Sequence, residues 1–137
     1  MSRNTGPKNP HFPVRLSRSL FWSSTAFAVT MALLPKPPHL PLDRFGDKFE
    51  HILAFAVLAV LANLAYPATE RVRLIERLSF LGAVIEVMQS IPALHRDCDV
   101  RDWIADTLAV LAVTTGFTLW SRWQLRGKRW GAWKAKQ

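Results

Sequence analysis

The sequence predicts an all-α fold: a four-helix transmembrane bundle with both termini on the cytoplasmic side. Three observations carry this reading. Half of the 137 residues are hydrophobic, and they fall in four blocks separated by prolines and charges. Within the blocks, residues 52–66 (ILAFAVLAVLANLAY) and 109–119 (AVLAVTTGFTL) carry no charge. A helix that is apolar all round lies in a large core or in lipid, and a chain of 15.6 kDa cannot surround several such helices with protein. Lastly, Lys and Arg are unequally shared between the two ends of the blocks, as in membrane proteins of fixed orientation.

Taken in order, residues 1–15 (MSRNTGPKNPHFPVR) have little to bury and predict a flexible, basic N-terminal tail. The first apolar run covers residues 16–34 and ends at Pro35, Pro37 and Pro38. Its pattern Ala26-Phe27-Ala28 lies inside the run, whereas a signal-peptide cleavage site follows one, so a retained helix is expected. The second run, about 49–66, ends at Pro67, and the third, about 74–91, ends at Pro92. The fourth covers 103–123. Each approaches the roughly 20 residues a bilayer span needs. The third is the weakest, with Glu76 and Arg77 at its start and Glu86 within it. Residues 16–123 therefore form the expected four-span domain, and residues 124–137 a basic, Trp-rich cytoplasmic tail.

Orientation follows from the cations. Of the 18 Lys and Arg, thirteen lie in the N-terminal tail and helix start, the loop after the second run, and the C-terminal tail. The other five are Lys36, Arg44, Lys48, Arg96 and Arg101. The richer side is expected to be cytoplasmic. Trp22, Trp103, Trp120 and Trp123 all fall near run ends, where indoles favour the interface. Small residues recur at helical spacing on the second run (Ala56, Ala59, Ala62, Ala65) and the fourth (Ala105, Ala109, Ala112, Gly116). Such faces let helices approach closely, which places these two runs side by side. The net charge of +8 forms no single basic patch, and no nucleic-acid partner is expected. Cys98 is the single cysteine, so it makes no internal disulfide.

The ionisable residues of the apolar region gather at one side. Asp47, Lys48 and His51 open the second run, Glu86 and Gln89 close the third, and Asp102 and Asp106 open the fourth. A zigzag of four spans puts all seven at the outward end, and Arg96 joins them from the third loop. Residues three and four apart share a helix face, so each group points one way. An acidic residue suits a helix N-terminus, which accounts for Asp47 and Asp102 as simple charged starts. His51 lies a turn inside its helix, where an ordinary cap needs no imidazole. Glu86 lies about 7 Å inside its run at 1.5 Å per residue, and Asp106 lies a turn below Asp102. Charges at such depth persist mainly where they pair or work. His95, Asp97, Cys98 and Asp99 match no strong metal-ligand spacing, and no metal or cofactor is expected there.

The run D-K-F-E-H (residues 47–51), then E-V-M-Q (residues 86–89), then Arg96 with Asp102 six positions on, resembles the VanZ-like family. These are small bacterial membrane proteins named for a teicoplanin-resistance determinant. The resemblance covers residues 47–116. The family pattern has Asn and Gly where this chain has Asp106 and Ala109, so the chain adds a negative charge. The resemblance implies a multi-pass protein of the bacterial inner membrane with an envelope-related role, in some members lowered susceptibility to glycopeptides.

Three functions remain open on these residues. The outward cluster would hold a membrane-lipid head group or a lipid-linked cell-wall precursor, with Lys48 and Arg96 on phosphate and Gln89 and His51 hydrogen-bonding. Two cations against the four carboxylates Asp47, Glu86, Asp102 and Asp106 argue against a plain anion pocket. In the alternative, an intramembrane hydrolase or transferase, His51 or Glu86 acts as general base and a divalent metal balances the charge. In the third, the cluster is a structural clasp without ligand.

Overall fold

The computed structural model describes residues 13–35, 46–96 and 98–134, giving the backbone alone for Asp47 and for residues 125–134. Residues 1–12 of the expected N-terminal tail lie outside the described residues, as do the side chains of the expected C-terminal tail from residue 125 on. The described chain is helical, with no strand among the described residues: α1 (Val14–Leu33), α2 (Asp47–Ala65), α3 (Arg71–Gln89) and α4 (Val100–Lys134), with a 3-10 turn, Pro92–Leu94, between α3 and α4.

The prolines stop the helices where the sequence places them. α1 ends one residue before the Leu34–Pro35 bond, α2 just before Tyr66–Pro67, and α3 ahead of Pro92. A residue preceding proline is pushed out of the helical region. Helix starts differ more from expectation. α3 begins at Arg71 because its first turn is charged and solvated, yet still hydrogen-bonded as helix. α4 begins at Val100 and continues to Lys134, well past Trp123. At 1.5 Å per residue it is about 50 Å long. Gly46 precedes α2 with φ 89°, a conformation that L side chains rarely adopt, so glycine sets how the chain enters this helix.

α2 is the central helix and packs on α1, α3 and α4. Its buried face is Phe55, Leu58, Ala59, Ala62 and Ala65, spaced three and four apart. Leu74, Leu78 and Ile85 of α3, Val110 of α4 and Phe21 of α1 complete the core. The alanine face of α2 lies inside, and α2 and α4 are neighbours as their sequences suggest. The small-residue face of α4 lies only partly inside: Ala105 and Ala109 are half-buried, whereas Ala112 and Gly116 are exposed, and a Cβ on Gly116 would meet nothing. The inward face of α4 is instead Asp102, Asp106, Val110 and Thr114, each four residues from the next. Their hydrogen bonds, described below, orient the helix more strongly than small volume does.

Polar pegs cross the interfaces. Asn63 Nδ2 donates to Thr114 Oγ1 (3.2 Å) and Arg71 Nη1 donates to Asn63 Oδ1 (2.9 Å). Trp103 Nε1 donates to the Ser79 carbonyl (3.1 Å), and the Ser79 and Thr107 hydroxyls meet at 2.9 Å. At one end α1 is held by Arg18 Nε donating to the Ala65 carbonyl (3.2 Å) and Trp22 Nε1 donating to the Tyr66 hydroxyl (3.0 Å). At the other end Gln89 Nε2 donates to the Ala32 carbonyl (3.0 Å).

The exterior is apolar. Phe27, Phe80, Val87, Leu108, Leu119 and Trp120 are among the large side chains left exposed, and such residues far outnumber those in the core. Every one of the four helices contributes to this exposed apolar set, whereas a soluble monomer rarely exposes a large apolar surface. Two helices are long and apolar enough to cross a membrane by length and composition, α2 over Lys48–Ala65 and α4 over Val100–Gln124.

Gly82 gives a direct test of the packing. A Cβ there would sit 3.4 Å from Phe55 Cζ and Trp103 Cδ1 and 3.5 Å from Asp106 Oδ2, which is tight van der Waals contact. Gly82→Ala is expected to change stability in detergent by no more than about 1 kcal/mol, the helix-propensity scale. Gly82→Leu has no room and is expected to lose about 1–3 kcal/mol. Equal unfolding midpoints for the wild type and Gly82→Leu would contradict this close approach of α3 to α2 and α4.

Candidate functional site

The first turn of α4 organises the cluster. Asp99 is the residue before the helix, and its Oδ1 accepts the Arg101 backbone N–H (2.9 Å). This is the bond of an N-capping carboxylate. The Asp99 backbone N–H in turn donates to Glu86 Oε2 (3.0 Å), and its Oδ2 accepts from Lys48 Nζ (2.8 Å). One loop residue thus joins the start of α2, the end of α3 and the start of α4. Three carboxylates, on Glu86, Asp99 and Asp102, surround an N-terminus whose dipole favours negative charge.

Lys48 Nζ also donates to Asp102 Oδ1 (3.0 Å). One turn deeper, His51 Nδ1 of α2 faces Asp106 Oδ2 of α4 at 3.4 Å, a long contact. Exposure falls steeply along this line: the Lys48 side chain is 52% exposed, whereas Asp106 is 1% exposed. The cluster is open at the helix ends and closed below. Two oxygens in it, Glu86 Oε1 and Asp106 Oδ1, are buried without a hydrogen-bond partner. One ring nitrogen of His51 and one carboxylate oxygen each of Glu86 and Asp102 lie within 4.8 Å of one another.

Of the residues the sequence singles out, the structure brings Lys48, His51, Glu86, Asp102 and Asp106 together. Gln89 is buried but spends its amide on α1. Arg96 lies half-buried in the loop between α3 and α4. The side chains of Asp47 and Asp97 lie outside the described residues. Asp99 is the residue that sequence reasoning assigns only to a polar loop. The available signal is Asp99 and Asp102 three apart just ahead of an apolar run, the spacing of a helix start.

These features define a class: a helical bundle with an apolar exterior and a cluster of ionisable groups withdrawn into one end. Comparison with family models, curated proteins and solved structures finds no match for the chain.

The Asp99 carboxyl is held below its ordinary pKa, first by the hydrogen bond from Lys48, then by the Arg101 N–H. A carboxylate whose folded pKa is lowered contributes stability above its unfolded pKa and loses it as pH falls through the folded value. Asp99 is partly exposed, so the energy is small. NMR titration of the wild type is expected to give an Asp99 pKa below the ordinary aspartate range, rising in Lys48→Met. An unchanged value in Lys48→Met would break the link between α2 and the α4 cap.

Proposed function

We propose that the chain is a multi-pass protein of the bacterial inner membrane, related to the VanZ-like proteins. Its four helices cross the bilayer with both termini cytoplasmic. The cluster at the start of α2 and α4 faces outward and binds the polar head group of a membrane lipid or a lipid-linked cell-wall precursor. Through that binding the protein acts on the envelope and on susceptibility to glycopeptides that compete for such precursors.

The observation that carries this reading is the inverted distribution of polarity: large apolar side chains outside, ionisable side chains converging inside and opening at one end. All four helices have 19 or more residues, about the length a bilayer core requires. α1 and α3 are less apolar than the spans of α2 and α4; Arg15 and Arg18 lie in the first turns of α1, and Arg71, Arg73, Glu76 and Arg77 in the first two turns of α3. Long cationic side chains at such positions reach the interface. The head group would enter past Lys48, between the ends of α2, α3 and α4.

A structural clasp has its own support, since Lys48 and the Asp99 backbone N–H tie α2, α3 and α4 together. A clasp that is only structural would satisfy its members. The open acceptors on Glu86 and Asp106 favour a site that receives something.

Lipid-resolved native mass spectrometry of the purified full chain tests the reading. Phosphatidylglycerol, phosphatidylethanolamine and undecaprenyl phosphate are offered at equal concentration. One head-group class is expected to be retained selectively by the wild type and lost in Asp102→Asn. Retention that does not discriminate head groups, or that is equal in the two proteins, would overturn head-group binding at this cluster.

A further inference from the structure

We infer that His51, Glu86 and Asp102 form a binding site for one divalent transition-metal ion, with Zn2+ the best match to the donor set. Each of the three residues comes from a different helix, α2, α3 and α4, and offers one donor atom, and the three atoms lie within 4.8 Å of one another. Donors on a common zinc ion stand about 3.4 Å apart at bond lengths near 2.0–2.2 Å. Binding would draw the donors together by up to about 1.4 Å.

Independent observations point to a ligand here. Glu86 is 5% exposed, and while its Oε2 takes the Asp99 N–H, its Oε1 is buried with no hydrogen-bond partner. A buried carboxylate oxygen left without a partner carries a desolvation cost that a cation removes. His51 Nδ1 faces a carboxylate oxygen of Asp106. With the ion on the other ring nitrogen, this is the common arrangement in which a carboxylate fixes the tautomer and aims a metal-bound imidazole. Asp106 is therefore a positioning residue, and it sits where Gly82 leaves room for its carboxylate.

The charge of the site agrees. Glu86, Asp99, Asp102 and Asp106 face Lys48 and His51, and Lys48 already serves both Asp99 and Asp102. One divalent cation offsets the two carboxylates that would bind it. An imidazole with two carboxylates suits zinc or manganese better than calcium or magnesium, which favour oxygen donors alone. Three protein ligands also leave a coordination position open. Lys48, half-exposed at the mouth of the cluster, lies 3.0 Å from Asp102 Oδ1. The open position would take an oxyanion such as a phosphate, and only this last step rests on the head-group reading.

The test uses the full chain in detergent, dialysed against Zn2+ alone and analysed for bound metal. About one ion per chain is expected in the wild type. Glu86→Gln and His51→Ala are expected to lower affinity at least as much as the roughly 10- to 100-fold loss typical of outer-shell partners, with helicity checked by circular dichroism. Asp106→Asn is expected to weaken binding less and to alter the visible spectrum of the Co2+-loaded protein. His95→Ala, in the exposed loop, should leave binding unchanged. Absence of stoichiometric Zn2+ in the folded wild type overturns the proposal, and so does wild-type affinity in Glu86→Gln. If a variant unfolds, the wild-type Co2+ spectrum decides: bands of imidazole coordination support the site, and their absence refutes it. Zinc bound without a selective lipid adduct would fail the head-group reading alone. A selective lipid adduct on a folded wild type that takes up no Zn2+ would fail the metal site alone.

Discussion

Two carboxylates, Glu86 and Asp106, are almost entirely withdrawn from solvent, and the arrangement of the helices at this end follows from what such groups require. A charge taken out of water must be paired or neutralised, and breaking one partner of a buried pair costs about 3–5 kcal/mol. Glu86 finds the Asp99 N–H, and Asp106 finds His51. Each partner lies on another segment, so satisfying the charges sets the register of α3 against the α4 cap and of α2 against α4. Lys48 then closes the open end over Asp99 and Asp102.

The same logic runs the length of α4. Its inward face holds Asp102, Asp106, Val110 and Thr114, so three of four contacts are polar. Each has a partner on α2 or at its start: Lys48, His51 and Asn63 respectively for the polar ones. In lipid, apolar side chains gain little by leaving the bilayer for another helix, and interhelical hydrogen bonds and close packing decide association. This pairing of α2 with α4 is what such an environment selects. Ala59 and Ala62 of α2 and Gly82 of α3 supply the close approach that brings the polar groups within reach.

The helices were legible because prolines and apolar runs mark them directly. Pro35, Pro67 and Pro92 stand where α1, α2 and α3 have ended. The cluster was legible because His51, Glu86 and Asp106 are costly inside an apolar run, and cost restricts where they can point. Less legible were features that depend on three-dimensional neighbours. The face of α4 was misjudged from Ala105, Ala109, Ala112 and Gly116, since small side chains are common on helices and do not by themselves choose a partner. Gln89 shares a face with Glu86, yet its length lets it reach α1 instead. Asp99 read as a loop residue, and only the folded turn shows that its backbone N–H and carboxylate serve three helices. α4 continues as helix beyond Trp123 through residues 124–134 although Gly127 and Gly131 lie in that stretch, so the end of the apolar run does not mark the end of the helix.

The central claim is that the apolar exterior faces lipid while the ionisable residues face one another. Nitroxide labels at Phe80, Leu108 and Leu119, placed one at a time in a Cys98→Ser chain and reconstituted in bilayers, test it directly. Collision with dissolved oxygen is expected to exceed collision with a water-soluble nickel chelate at all three positions, with the reverse at Arg73. Nickel-dominated collision at Phe80 and Leu108 would mean that these faces meet water, and the account would be wrong.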